Sequence, residues 1–117
     1  MRKITRQSVI AFFNGKPFKS GNTCVVCGPN TAHLYLHGNL IASRQPGRLS
    51  TTLAGWNTPT TRERLNGVYT IAQERGLVRG VPYAGYCQRN HKACYIDLDG
   101  NMHTIDSRDV TTIALSN

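Results

Sequence analysis

Two histidines and a tyrosine alternate with leucines along His33-Leu34-Tyr35-Leu36-His37. In extended backbone a period of two puts His33, Tyr35 and His37 on one face and Leu34 and Leu36 on the other. Two imidazoles beside a phenol suit general acid–base chemistry, as in a small metal-independent nuclease or phosphoesterase that works with two histidines around a lysine. The same face suits stacking of unpaired bases. The plainer reading is a half-exposed sheet with an aromatic polar side, because four histidines in the chain do not identify a catalytic pair.

Cys24-Val25-Val26-Cys27-Gly28 has the spacing of half a zinc knuckle, where two thiolates reach one ion across a tight turn. The other half is missing, since six residues separate Cys87 from Cys94. A strand would point Cys24 and Cys27 to opposite faces. The pair therefore reads as small buried apolar side chains, and no metal or cofactor is assigned. A redox pair is disfavoured too, since no helix start follows to lower a thiol pKa. Asp97 and His103 lie across an expected hairpin, as half of a catalytic dyad or metal site would. Asp99 more simply serves an Asp99-Gly100 turn, with the other acids in solvated loops. There is no phosphate-binding glycine loop and no nucleophile elbow. No catalytic residue is assigned.

Charge is the stronger signal. No aspartate or glutamate occurs before Glu63, whereas Arg2, Lys3, Arg6, Lys16, Lys19, Arg44, Arg48 and Arg62 all fall in that stretch. Four of the six acids, Asp97, Asp99, Asp106 and Asp109, sit in the tail, and the net charge is +8. A cationic surface without internal counter-charge attracts a polyanion or an acidic partner. The sign excludes a DNA-mimicking inhibitor. The candidate contact residues are those eight with Arg64, His33, Tyr35 and His37. Arg2, Lys3, Arg6, Lys16 and Lys19 are expected on phosphates, and Tyr35 and His37 in stacking. No helix-turn-helix, zinc-finger or RNA-recognition signature is present, so sequence-specific readout is not supported.

The elements that must position these residues form a small single α+β domain over 1–117, within the usual size of one core. Thr5 is a plausible N-cap of a short helix that carries Val9, Ile10, Phe12 and Phe13 and ends at Asn14-Gly15. An antiparallel meander follows, with strands at 22–27, 31–37, 40–44 and 49–53. Gly38-Asn39 is the expected type II′ turn, and Pro46-Gly47 the next. A second short helix starts near Thr58-Pro59-Thr60, where Thr60 and Glu63 have capping-box spacing; closure at Asn66-Gly67 is the preferred reading, with a run on through Tyr69 to Gln73 as the alternative. Val68–Ile71 then favour a strand. Residues 76–85 form a glycine-containing connection. A C-terminal hairpin spans 93–98 and 102–105, with a possible last strand at 110–115. The apolar run 9–13 is too short for a signal peptide and nothing reaches transmembrane length, so the four cysteines are expected as reduced thiols in a cytoplasm.

Three stretches taken together resemble a group of short proteins encoded by tailed bacteriophages: His37-Gly38-Asn39-Leu40-Ile41-Ala42, Ala54-Gly55-Trp56 and Thr60-Thr61-Arg62-Glu63-Arg64-Leu65-Asn66-Gly67. Met1–Thr5 and Asn22-Thr23 add to the likeness, which covers residues 1–67. The tail is expected to depart from the group, which tends to end after a short tryptophan-containing hairpin. The resemblance implies a setting in the host cytoplasm and a binding role, such as counter-defence, anti-CRISPR-like inhibition or host takeover, without implying a chemistry. Within these stretches Trp56 is the expected large core side chain, and Asn66 a helix cap.

Overall fold

A computed structural model of the chain describes residues 1–116. Helix α1 (Lys3–Asn14) is followed by strands β1 (Phe18–Ser20), β2 (Thr23–Gly28), β3 (Thr31–Leu36), β4 (Asn39–Gln45) and β5 (Arg48–Thr52). Helix α2 (Pro59–Glu74) precedes β6 (Gly85–Arg89), β7 (Lys92–Ile96), β8 (Met102–Thr104) and β9 (Val110–Ala114). The strands form an antiparallel sheet in the order β1-β2-β3-β4-β5-β9 and a smaller one in the order β6-β7-β8. The class is α+β, with the expected helix–meander–helix–hairpin order.

The meander forms where turn chemistry predicts it, with one adjustment. The β3–β4 turn centres on His37 and Gly38, whose φ values of 52° and 77° are both positive. That is the type I′ hairpin pattern rather than the II′ turn expected at Gly38-Asn39. Alternation within β3 is as expected: Leu34 and Leu36 are buried while His33 and Tyr35 are only partly covered. Gly15 ends α1 in the left-handed region, as its position predicts. Strands β1 and β6 were not visible in the pattern, β1 being only three residues long and β6 following the glycine-containing connection. Strand β9 crosses back to pair with β5, so the tail completes the sheet begun by the N-terminal half.

Both helix N-termini differ from expectation. Arg2, not Thr5, occupies the α1 cap position, and Thr5 is wholly buried inside the helix. At α2 the cap is Thr58, whose hydroxyl accepts from the Thr61 N–H at 3.2 Å. The capping box at Thr60 and Glu63 does not form, because Glu63 is drawn toward α1 instead.

Helix α2 does not close at Asn66-Gly67 but runs on through Val68–Ile71 to Glu74. Val68, Tyr69 and Ile71 are buried on it, so burial overrides their strand preference. Gly67 serves the contact with α1: a Cβ there would lie 2.4 Å from Thr5 Cγ2. Asn66 does not cap the helix, whose cap position is Arg75. Its side chain accepts from the Tyr86 N–H at 2.7 Å and donates to the Tyr86 carbonyl at 2.9 Å, acting as an extra strand partner for β6.

One hydrophobic cluster joins Val9 and Phe12 of α1, Val25, Leu34 and Leu49 of the large sheet, Leu65 and Tyr69 of α2, and Tyr86 and Tyr95 of the small sheet. Each large apolar side chain there contributes roughly 1.5–3 kcal/mol by leaving water. Trp56 is not among them, and is 56% exposed. No helix among the described residues is long and apolar enough to cross a membrane.

Candidate binding surface

The helices lie against the sheet face on which Val25, Leu34, Ala42 and Leu49 are buried. The opposite face of the six-stranded sheet has no helix on it. Register builds two rows across it. In one, Lys19, Cys24, Tyr35 and Leu40 are successive cross-strand partners. In the other, Val26, His33, Ser43, Ser50 and Thr112 line up over five strands. Arg48, beside Ala114, lies on this face as well. No carboxylate occurs in any of the six strands. Val26, Leu40 and Val110 are exposed here, so the face offers apolar area, hydroxyls and cations together.

The twelve candidate residues do not form one patch. Lys19, His33, Tyr35 and Arg48 share the outer sheet face, with His37 at its rim in the β3–β4 turn. Lys19 and Arg48 stand four strand spacings apart, roughly 19 Å. Arg2, Lys3 and Arg6 belong to the helical side. There the two glutamates are used against α1: Glu63 accepts from the Arg2 N–H at 3.2 Å, and Glu74 lies 3.5 Å from Arg6. Lys16 follows α1 and is exposed. Arg62 donates to Asn57 Oδ1 at 2.6 Å. Arg44 turns inward, its Nε donating to the Phe12 carbonyl at 3.2 Å in the last turn of α1.

Arg64 is only 2% exposed and cannot be a surface contact. Its guanidinium donates to Thr23 Oγ1 at 3.2 Å, Thr5 Oγ1 at 2.7 Å and Glu63 Oε1 at 2.6 Å. The Thr5 hydroxyl also donates to Glu63. Partial burial pushes the Glu63 carboxyl up, but the Thr5 hydroxyl, the Arg2 N–H and the Arg64 charge together bring it below its ordinary value.

The histidines are tied to neighbours of other types. His33 Nδ1 is 3.0 Å from Ser43 Oγ, and Asn22 Nδ2 is 3.2 Å from His37 Nε2. Asp97 and His103 do meet across the hairpin, at 2.8 Å. The His103 hydrogen bond, with the N–H groups of Asn101 and Asp99, holds the Asp97 carboxyl below its ordinary value. Asp97 thus serves as the clasp of the β7–β8 turn, the job expected of Asp99. Among the described residues no three His, Cys, Asp or Glu side chains converge as metal ligands.

Sequence reasoning missed Trp56 as a surface residue. Ala54 and Gly55, at φ 54° and 88°, make a tight turn closed by the Trp56 N–H donating to the Leu53 carbonyl at 2.8 Å. This turn reverses the chain before α2 and leaves the indole outside. The Ala-Gly dipeptide was the available sign, outweighed by the habit of placing tryptophan in a core. Trp56 walls a cavity of about 400 Å³ with Leu36, His37, Asn39, Ile41 and threonines of the α2 start. His37 also lines a shallow depression of about 460 Å³ on the outer sheet face, with Lys19, Cys24 and Tyr35.

No curated protein and no solved structure matches the chain. A family model does match, and it spans residues 1–112. The matched region reaches well beyond residue 67 and takes in the acidic tail. This agrees with the fold, in which β9 is an integral strand of the large sheet. With nearly its whole length matched, the chain belongs to the Kyanoviridae Gp96 protein family, a family of phage proteins.

Proposed function

We propose that this phage protein is a non-enzymatic accessory protein that works in the host cytoplasm by binding an acidic macromolecule on the outer face of its six-stranded sheet. The observation that carries the reading is the carboxylate-free sheet, presenting Lys19, Arg48, His33 and Tyr35 with no helix over them. The helical side is a weaker candidate, since Glu63 and Glu74 neutralise part of its charge. The partner is a nucleic acid or the acidic surface of a host or defence complex, and the role is counter-defence, anti-CRISPR-like inhibition or host takeover.

Affinity purification from infected host lysate, with and without nuclease, tests this. Loss of the captured material on nuclease treatment identifies a nucleic acid, and retention identifies a protein. Reversing charge with Lys19→Glu and Arg48→Glu should weaken binding at least tenfold at low salt and flatten its salt dependence. Binding that ignores both salt and charge reversal overturns the reading. A histidine-dependent nuclease or phosphoesterase would use His33 and His37 on the same face, or His103 on the small sheet. It would be established instead if His33→Ala, His37→Ala and His103→Ala abolished hydrolysis of a single-stranded substrate while leaving binding intact.

A further inference from the structure

We propose that the cavity between Trp56 and the His37 turn takes one unpaired nucleobase of a single-stranded nucleic acid, stacked on the indole. This deepens the reading above and rests on it for the phosphates.

Trp56 is the one tryptophan of the chain, and more than half of it is in water. Its backbone is pinned on both sides, by its own N–H to the Leu53 carbonyl and by the Thr58 N–H to its carbonyl at 2.9 Å. An uncovered indole on a fixed backbone is a stacking platform that loses little backbone freedom on binding. Below it, Leu36 and Ile41 form an apolar floor, almost fully buried. Around it, Asn39 and Thr60 supply amide and hydroxyl groups. A flat heterocycle satisfies both features, with its faces on indole and aliphatic carbon and its polar edge on the rim. A purely apolar peptide anchor would fit the floor and leave the rim unpaired, which is costly. The volume of about 400 Å³ lies toward the lower end of small-ligand pockets, which run roughly 300–1,000 Å³.

No carboxylate, lysine or arginine lines this cavity, which suits a neutral occupant there. The phosphate charge belongs on the other side of the same turn. His37 separates the cavity from the depression that holds Lys19 and Tyr35. A single strand crossing the His37-Gly38 turn puts one base against Trp56, its backbone near Lys19 and the next base within reach of Tyr35. A duplex cannot do this, because its bases are stacked and paired.

The test uses the full-length protein with a short oligothymidylate and an abasic oligonucleotide of the same length and charge. Tryptophan emission reports the cavity directly, and anisotropy of labelled oligonucleotides reports total binding. Oligothymidylate should quench the emission and the abasic strand should not. Trp56→Ala should weaken oligothymidylate binding by about tenfold or more, leave the abasic strand unchanged, and be partly rescued by Trp56→Phe. Since the indole is exposed, these variants keep the core. Equal binding of the two strands with no response to Trp56→Ala overturns the base pocket but leaves the sheet-face reading standing. Quenching by the abasic strand, or by polyglutamate, also overturns it. Base-dependent quenching that persists when Lys19→Glu and Arg48→Glu leave affinity unchanged would keep the pocket and sink the sheet face.

Discussion

At the scale of single residues, Arg64 shows how a surface motif becomes an internal one. In Arg62-Glu63-Arg64 the two arginines look alike in sequence, yet only Arg64 of the pair enters the α1–α2 contact, where Thr5, Thr23 and Glu63 satisfy its guanidinium. Arg64→Ala should destabilise the fold by about 3 kcal/mol in urea unfolding, the low end for a broken buried pair because Glu63 keeps 26% exposure. Polyanion affinity of the folded protein should not change. Glu63 gives a pH test. Its carboxyl is held below the ordinary value of 4.5, so its contribution is complete above that pH and is lost as pH falls through the lower folded value. Glu63→Gln should reduce stability at neutral pH and flatten the acid limb of the stability curve. An acid limb unchanged by the substitution would refute this account.

At the scale of elements, Asn66-Gly67 carries the main lesson. The doublet has the composition of a helix terminator, and local chemistry supports that reading. In the folded chain both residues are docking points: Asn66 for β6 and Gly67 for α1. Gly67→Ala should therefore lower the melting temperature. Helix propensity favours alanine by about 1 kcal/mol. The 2.4 Å approach to Thr5 Cγ2 forces the helices apart and costs roughly 1–3 kcal/mol, so the clash outweighs the gain. A rise in melting temperature would show that the helices separate easily.

At the scale of the whole molecule, four buried hydroxyls tie the layers together. Thr51 of β5 is 2.9 Å from both the Tyr69 hydroxyl of α2 and the Tyr86 hydroxyl of β6, and the Tyr95 hydroxyl donates to Tyr69 at 3.1 Å. Thr51→Val would strip the shared partner from two buried phenols and should cost about 1–3 kcal/mol. Burial pushes all three phenols above the ordinary value of 10.0. The folded state holds them neutral where the unfolded chain would ionise them. Their contribution is thus present below pH 10.0 and is lost as pH rises above it. Tyrosinate absorbance from these three should appear together with unfolding, not before it. A smooth titration of all five tyrosines in the folded protein would contradict the network.

By itself the sequence determined the α+β class, the β2–β5 meander, the end of α1 at Gly15 and the alternation that turns His33 and Tyr35 away from Leu34 and Leu36. These follow from periodicity and turn chemistry, which act over a few residues. It also determined that the first 62 residues would carry cations without counter-charge, because no carboxylate precedes Glu63. Tertiary structure decided what depended on distant partners. It carried α2 past Gly67, since a buried face outweighs strand propensity. It buried Arg64 and tied Arg44 to α1, because helix carbonyls and threonine hydroxyls compete for guanidinium groups. It returned the tail to the large sheet as β9 and left Trp56 in solvent. A side chain's neighbours across sixty residues of chain are set by how the layers pack, and no local pattern records them.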